Sequence, residues 1–191
     1  MTTTRLICIL GAESTGKTTL AQALASHYAC PWVPEYLRQF CQQQGRTPQH
    51  EEQAQVIETQ VRWESEAMER AHQQQARFVF CDTAPLLTAI YSNYIFSDRS
   101  LLPQGRSLHA NYALTLLLAP DSDWVADGLQ RDGEQVREPI TEMIAHELDT
   151  MAVTRVTIAG QGKARFGSAI DAIAALAAGR IPSPMELERR L

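Results

Sequence analysis

A three-layer α/β/α fold with a mainly parallel central sheet is what this sequence predicts, and three observations predict it. Short apolar runs alternate with helix-forming segments along the whole chain. The runs are apolar at consecutive positions, as in strands covered on both faces, instead of alternating. The first run, Arg5-Leu6-Ile7-Cys8-Ile9-Leu10, leads through Gly11-Ala12-Glu13-Ser14-Thr15-Gly16-Lys17-Thr18 into a helical segment. That string reads G-x-x-x-x-G-K-[ST], and strand, glycine-bounded loop and helix is the setting of a phosphate-binding P-loop. The fold class is therefore that of the P-loop NTPases.

Each element follows from its own residues. Lys17 to Tyr28 is rich in helix formers and ends before Pro31. Trp32-Val33 is a very short second strand, with Pro34-Glu35-Tyr36-Leu37-Arg38 after it. Thr47-Pro48 reads as an N-cap with proline at the first helical position, and Glu51 and Glu52 sit in the first turn. Ala54, Ile57, Val61 and Met68 then form one stripe of a long helix reaching about Gln74. Arg77 to Asp82 is a strand, and Pro85 opens a helix through about Tyr94. Ser97 to Gly105 is polar and irregular, and is expected to be a mobile loop. Ala113 to Leu118 is a further buried strand, closed by Pro120 and Asp121. Asp121 to Glu138, with Gly128 and Gly133, is expected to lie as a loop over a site. A helix from about Pro139 to Asp149, a strand from Thr154 to Ile158 and an alanine-rich helix from Phe166 to Ala178 complete the pattern. Residues 1–180 are expected to form one domain, and 181–191, with Pro182 and Pro184, a loosely held tail.

Composition narrows the function classes. A net charge of −5 argues against a nucleic acid or an acidic membrane as partner, so an anionic ligand would depend on local groups. The chain has no signal-peptide pattern and no apolar stretch long enough to span a bilayer, and is expected to be cytoplasmic. Its four cysteines lack zinc-type pairing, and Cys8 and Cys81 lie in strand runs where a buried free thiol is expected.

The chemistry starts at the loop. Gly11 and Gly16 admit backbone angles closed to other residues. The N–H groups of Gly11, Ala12, Glu13, Ser14, Thr15 and Gly16 can then face a polyphosphate, helped by the positive end of the next helix. Lys17 is placed to reach the β- and γ-phosphates and the Thr18 hydroxyl to ligate Mg²⁺, with Thr19 beside them. ATP and Mg²⁺ are thus the expected ligands. Asp82 ends a strand where P-loop enzymes place their second metal-side acid; otherwise it caps the helix opening at Pro85. Glu35 follows the second strand at a carboxyl end, where it could take a proton from an acceptor hydroxyl, with Asp82 the rival base. Arg38 shares a helical face with Glu35, to bind a substrate oxygen or simply to pair with it. Trp124, Asp127, Arg131 and Arg137 fit a lid that touches substrate and brings positive charge over the transferred group; the alternative is solvated loop residues. Arg165, in the glycine turn after the last strand, could pack against an adenine, or merely belong to the turn. The five histidines show no ligand spacing. Trp63, Tyr91, Tyr94 and Tyr112 are core candidates, any one of which could instead stack on a substrate ring.

The P-loop, then Pro34-Glu35-Tyr36-Leu37-Arg38, Cys81-Asp82-Thr83 and Trp124-Val125-Ala126-Asp127-Gly128-Leu129, occur in this order. Together they resemble the ribosylnicotinamide kinase domain of the NadR proteins of bacterial NAD salvage, from about residue 5 to 175. The Trp-Val-Ala-Asp-Gly-Leu string is the most specific part. The resemblance implies a P-loop fold of the nucleoside and nucleotide kinase type with a lid. It also implies transfer of the γ-phosphate of ATP to the 5′-hydroxyl of nicotinamide riboside, a small-molecule acceptor. Full-length members also carry a DNA-binding helix-turn-helix and an adenylyltransferase domain. Neither has a counterpart in these residues, and their activities are not carried over. Ala12 replaces a second glycine common in such loops. Two other readings stay open: a kinase for a different nucleoside or nucleotide, and a nucleotide-switched regulatory ATPase that needs no acceptor.

Overall fold

The computed structural model describes residues 3–123 and 134–181. β1 (Arg5–Leu10) is the middle strand of a five-stranded sheet, flanked by β3 (Phe78–Asp82) and β4 (Leu114–Leu118). β2 (Trp32–Val33) pairs with β3 and β5 (Arg155–Ile158) with β4, giving the order β2-β3-β1-β4-β5 with every pairing parallel. The register sets Ile9 opposite Asp82 and Leu10 opposite Leu117, so the carboxyl ends of the three inner strands lie side by side.

The consecutive apolar residues of β1 divide between two cores. Ile7 and Ile9 face one side, where α1 (Lys17–Tyr28) contributes Leu20 and Leu24 and α7 (Gly162–Ala177) contributes Ile173. Cys8 and Leu10 face the other, covered by Ile57 and Ala67 of α3 (Gln53–Gln73) and Leu86 and Ile90 of α4 (Pro85–Phe96). Ile140 and Ile144 of α6 (Arg137–Asp149) extend that second layer. This is the three-layer arrangement expected, with the sheet entirely parallel. Each large side chain buried in full stabilises the fold by about 1.5–3 kcal/mol relative to exposure.

Several boundaries move. The long helix starts later than Thr47-Pro48 predicts. Gln49 and Glu52 form the capping box, around a single 3₁₀ turn (His50–Glu52), and α3 follows from Gln53. A further short helix, α2 (Tyr36–Gln44), forms after β2 and ends at Gly45 in the left-handed region, φ 67°. The stretch expected to be a loop contains α5 (Leu102–His109). Its Gly105 lies where a Cβ would come within 3.0 Å of Ala89 Cβ, so the glycine marks a close helix crossing and not a turn. α6 opens at Arg137 and α7 at Gly162, both ahead of the expected Pro139 and Phe166. Cys8 and Cys81 are buried free thiols, as expected. No described helix is long and apolar enough to cross a membrane. The lid residues 124–133 and the tail 182–191 lie outside the described residues.

Candidate active site

The P-loop leaves the carboxyl end of β1 and runs straight into α1. Its two glycines answer different needs. Gly16 has φ 81°, the left-handed region, and hands the chain to α1 without offering a side chain to that helix's first amides. Gly11 is instead a matter of space: a Cβ there would stand 2.9 Å from Thr15 Oγ1 and 3.1 Å from the Leu118 carbonyl. Ser14 also has positive φ, 57°, which completes a tight curl in the loop. Inside it the Thr15 hydroxyl donates to the Ala12 carbonyl at 2.9 Å, and Lys17 Nζ donates to the same carbonyl at 3.0 Å. Two of the loop's own side chains thus converge on one of its carbonyls, with the uncapped amides of α1 as an anion site.

Asp82 ends β3 beside this loop, 1% exposed. The Thr18 hydroxyl donates to its Oδ2 at 2.6 Å, while Oδ1 is buried with no hydrogen-bond partner among the described residues. Burial pushes the Asp82 carboxyl above the usual carboxylate range, against the opposing pull of Lys17, the Thr18 bond and Arg38. The next residue, Thr83, has φ 82°, strained for a β-branched side chain. The donor set fits Mg²⁺, a hard cation served by a hydroxyl and one carboxylate, with phosphate and water completing the shell. Among the described residues no group of three or more His, Cys, Asp or Glu could hold a metal by itself.

Around the loop lies a cleft of about 710 Å³. The strand order determines its two ends. On the β4–β5 side it is walled by Gln161, Gly162, Arg165 and Phe166 at the start of α7. On the β3–β2 side it is walled by Glu35, Leu37 and Arg38 around the start of α2, by Thr47, Pro48 and Gln53, and by Leu87, Thr88, Tyr91 and Ile95 of α4. The loop residues Glu13, Ser14, Thr15, Gly16, Lys17, Thr18 and Thr19 form the bridge between them. A triphosphate laid on the loop would thus have room for a base at one end and an acceptor at the other.

The arginines named from sequence divide. Arg38 lines the β3–β2 end, and its charge acts on Asp82. Arg165 is buried and its guanidinium turns into the protein, donating to the carbonyls of Thr15, Ala119 and Gly160 and to Asp121. Asp121 in turn accepts the Gly160 amide at 2.6 Å, so this cluster ties the P-loop to the ends of β4 and β5. Arg137 donates to the Ser122 carbonyl at 2.8 Å and its Oγ at 3.2 Å, and that hydroxyl donates to the Ser14 carbonyl at 2.6 Å. Arg137 thus reaches the loop through Ser122. Trp124, Asp127 and Arg131 lie outside the described residues.

Some site residues escaped the sequence. Tyr91, read there chiefly as core, lines the cleft and its hydroxyl donates to Glu13 Oε1 at 3.2 Å. Its position on α4, two turns past Pro85, was the available signal. Ser122 and Asp121 had none, because their role depends on arginines distant in sequence.

Residues 6–165 match the family described as AAA domain. The chain belongs to that family. A comparison with curated protein sequences gave no match. Among solved structures, NadR protein in complex with NR is similar at TM-score 0.76 and 24% identity, over 92% of this chain and 52% of that one. NadR in complex with NAD and AMP-PNP is similar at TM-score 0.76 and 23% identity, over 91% and 49%. Thymidylate kinase from Candida albicans is similar at TM-score 0.58 and 14% identity, over 92% of each chain. This AAA-domain chain spans about half the length of the NadR chains it matches. It shares the fold of P-loop kinases, and the resemblance to NadR read from the motifs holds at the level of fold.

Proposed function

We propose that this chain is an ATP- and Mg²⁺-dependent phosphotransferase acting on a nucleoside-type alcohol, with nicotinamide riboside as acceptor and nicotinamide mononucleotide as product. The observation that carries it is the 2.6 Å contact between the Thr18 hydroxyl and Asp82, set between a P-loop and a cleft end holding Glu35 and Arg38. A nucleotide switch has no need of that second end. The choice of acceptor is supported by the similar NadR structure being a complex with NR.

The steps follow from where the groups stand. The loop amides and the start of α1 bind the β- and γ-phosphates, and Lys17 leaves the Ala12 carbonyl to reach them. Thr18 and Asp82 would hold Mg²⁺, which would supply positive charge to offset the negative charge that develops on the transferred phosphates. Glu35 orients the acceptor 5′-hydroxyl and takes its proton as the new O–P bond forms. The bond from the γ-phosphorus to the β–γ bridging oxygen breaks, and ADP leaves with that electron pair. Arg38 steadies the transferred group from the acceptor side. Arg165 and Arg137–Ser122 keep the loop in register with the sheet ends, so that the phosphates and the hydroxyl meet in line.

The test is a panel of acceptors with ATP and Mg²⁺: nicotinamide riboside, nicotinic acid riboside, the common nucleosides and their monophosphates. The proposal expects nicotinamide riboside to give the highest kcat/KM, with Glu35→Gln at least ~100-fold slower. A better substrate elsewhere in the panel would overturn the choice of acceptor. ATP hydrolysis indifferent to every acceptor would overturn the transferase.

A further inference from the structure

Glu35 is the residue before α2, where a carboxylate would ordinarily cap the helix by accepting one of its first amides. Its side chain makes no such bond. The first amide of α2 is satisfied from a different helix: the N–H of Tyr36 donates to Gln60 Oε1 of α3 at 2.9 Å. Gln60 is 3% exposed and does not stand alone. One turn on, Glu64 Oε1 accepts its amide nitrogen at 3.5 Å, and accepts the Tyr112 hydroxyl at 2.7 Å. Gln60, Glu64 and Tyr112 therefore form a buried polar chain running from the start of α2 into the core.

The chain has a direction. An N–H can only donate, so Gln60 must point its oxygen at Tyr36 and its NH₂ at Glu64, which must accept. Reversing the amide would set two donors against each other at α2. Gln60 also shares the wall of a small cavity with Glu35, Thr83 and Tyr91, directly behind the acceptor end of the cleft. Apolar residues would fill this layer at no desolvation cost, so packing alone does not account for three polar groups here.

We propose that Gln60 is a positioning residue for the acceptor end of the cleft: it caps α2 from α3, a bond the Glu35 side chain does not make, and so fixes the start of α2 that carries Glu35, while Glu64 and Tyr112 fix the direction of its amide. The kinetic part of this rests on the role given to Glu35 above; the capping part does not.

The experiment combines backbone amide exchange with steady-state kinetics on the full chain. Gln60→Leu keeps the volume and removes the cap; Gln60→Glu with Glu64→Gln reverses the polar chain while keeping an acceptor for Tyr36 and a donor beside it. In Gln60→Leu the Tyr36 amide is expected to exchange at least ~10-fold faster, while amides at the centre of α3 keep their relative protection. kcat should fall ~10- to 100-fold and the acceptor KM rise, with the KM for ATP within about 2-fold of the unaltered protein. The doubly substituted protein should recover the Tyr36 protection and most of kcat. Unchanged exchange at Tyr36 in Gln60→Leu, or a double variant no better than the single one, would overturn the proposal. If Tyr36 responds as expected but no nucleoside is turned over, the cap stands and the kinase reading alone falls.

Discussion

Two buried titratable groups are expected to push stability in opposite directions over the same pH range. Glu64 is buried on α3, and burial raises its carboxyl from 4.5 to about 7, against the bonds it accepts from Tyr112 and Gln60. His109, at the end of α5, is fully buried with one ring nitrogen 2.9 Å from the Thr115 hydroxyl, and burial lowers it from 6.5 to about 4. For Glu64 the folded state holds the proton more tightly than the unfolded chain. Its contribution is present below pH 4.5 and is lost as pH rises to about 7. For His109 the unfolded chain holds the proton more tightly. Its contribution is present above pH 6.5 and is lost as pH falls to about 4. At about 1.4 kcal/mol per pH unit, each group changes stability by about 2 kcal/mol between roughly pH 5 and pH 7.5, and in the unaltered protein the two offset each other. Urea unfolding at both pH values separates them. Relative to the unaltered protein, Glu64→Gln should gain about 2 kcal/mol on going from the lower pH to the higher, and His109→Gln should lose about as much. Stability differences that do not change between the two pH values would refute the reasoning for the group concerned.

Gly11→Ala should destabilise the protein by about 1–3 kcal/mol, because the added methyl meets Thr15 Oγ1 at 2.9 Å and a backbone carbonyl at 3.1 Å; thermal unfolding measures it. Arg165→Met should raise the KM for ATP about 10-fold or more, since it releases the Thr15 carbonyl from the ends of β4 and β5, while the acceptor KM stays near its starting value. Asp82→Asn should keep the fold and weaken Mg²⁺-dependent nucleotide binding, which titration with and without the metal would show.

The fold was legible because its signals are local. Five consecutive apolar residues, Leu6 to Leu10, followed by a P-loop mark β1 and α1, and Phe78-Val79-Phe80-Cys81 reads as a strand buried on both faces. The order of the strands was not legible, since parallel pairing is decided by packing across helices that the sequence does not display. α5 was missed because Pro103 and Gly105 fall inside a helix of eight residues with few apolar positions, and Gly105 imitates a turn while serving a helix contact. At the site, residues one motif places together, such as Lys17 and Thr18, could be read directly. Arg137 was assigned toward ligands on its charge and Arg165 on its place in the turn after the last strand, and the structure shows their guanidinium groups bonded to carbonyls of the protein. Gln60 gave no signal, because the amide it satisfies lies 24 residues away in the chain.

The central claim is that the γ-phosphate goes to an alcohol and not to water. Phosphorus NMR of the protein with ATP, Mg²⁺ and nicotinamide riboside follows both fates in one sample. The account predicts a phosphomonoester signal that grows in step with ADP, depends on the nucleoside, and is lost at least ~100-fold in Lys17→Ala. Inorganic phosphate growing at the same rate with or without the nucleoside, and no ester, would contradict it.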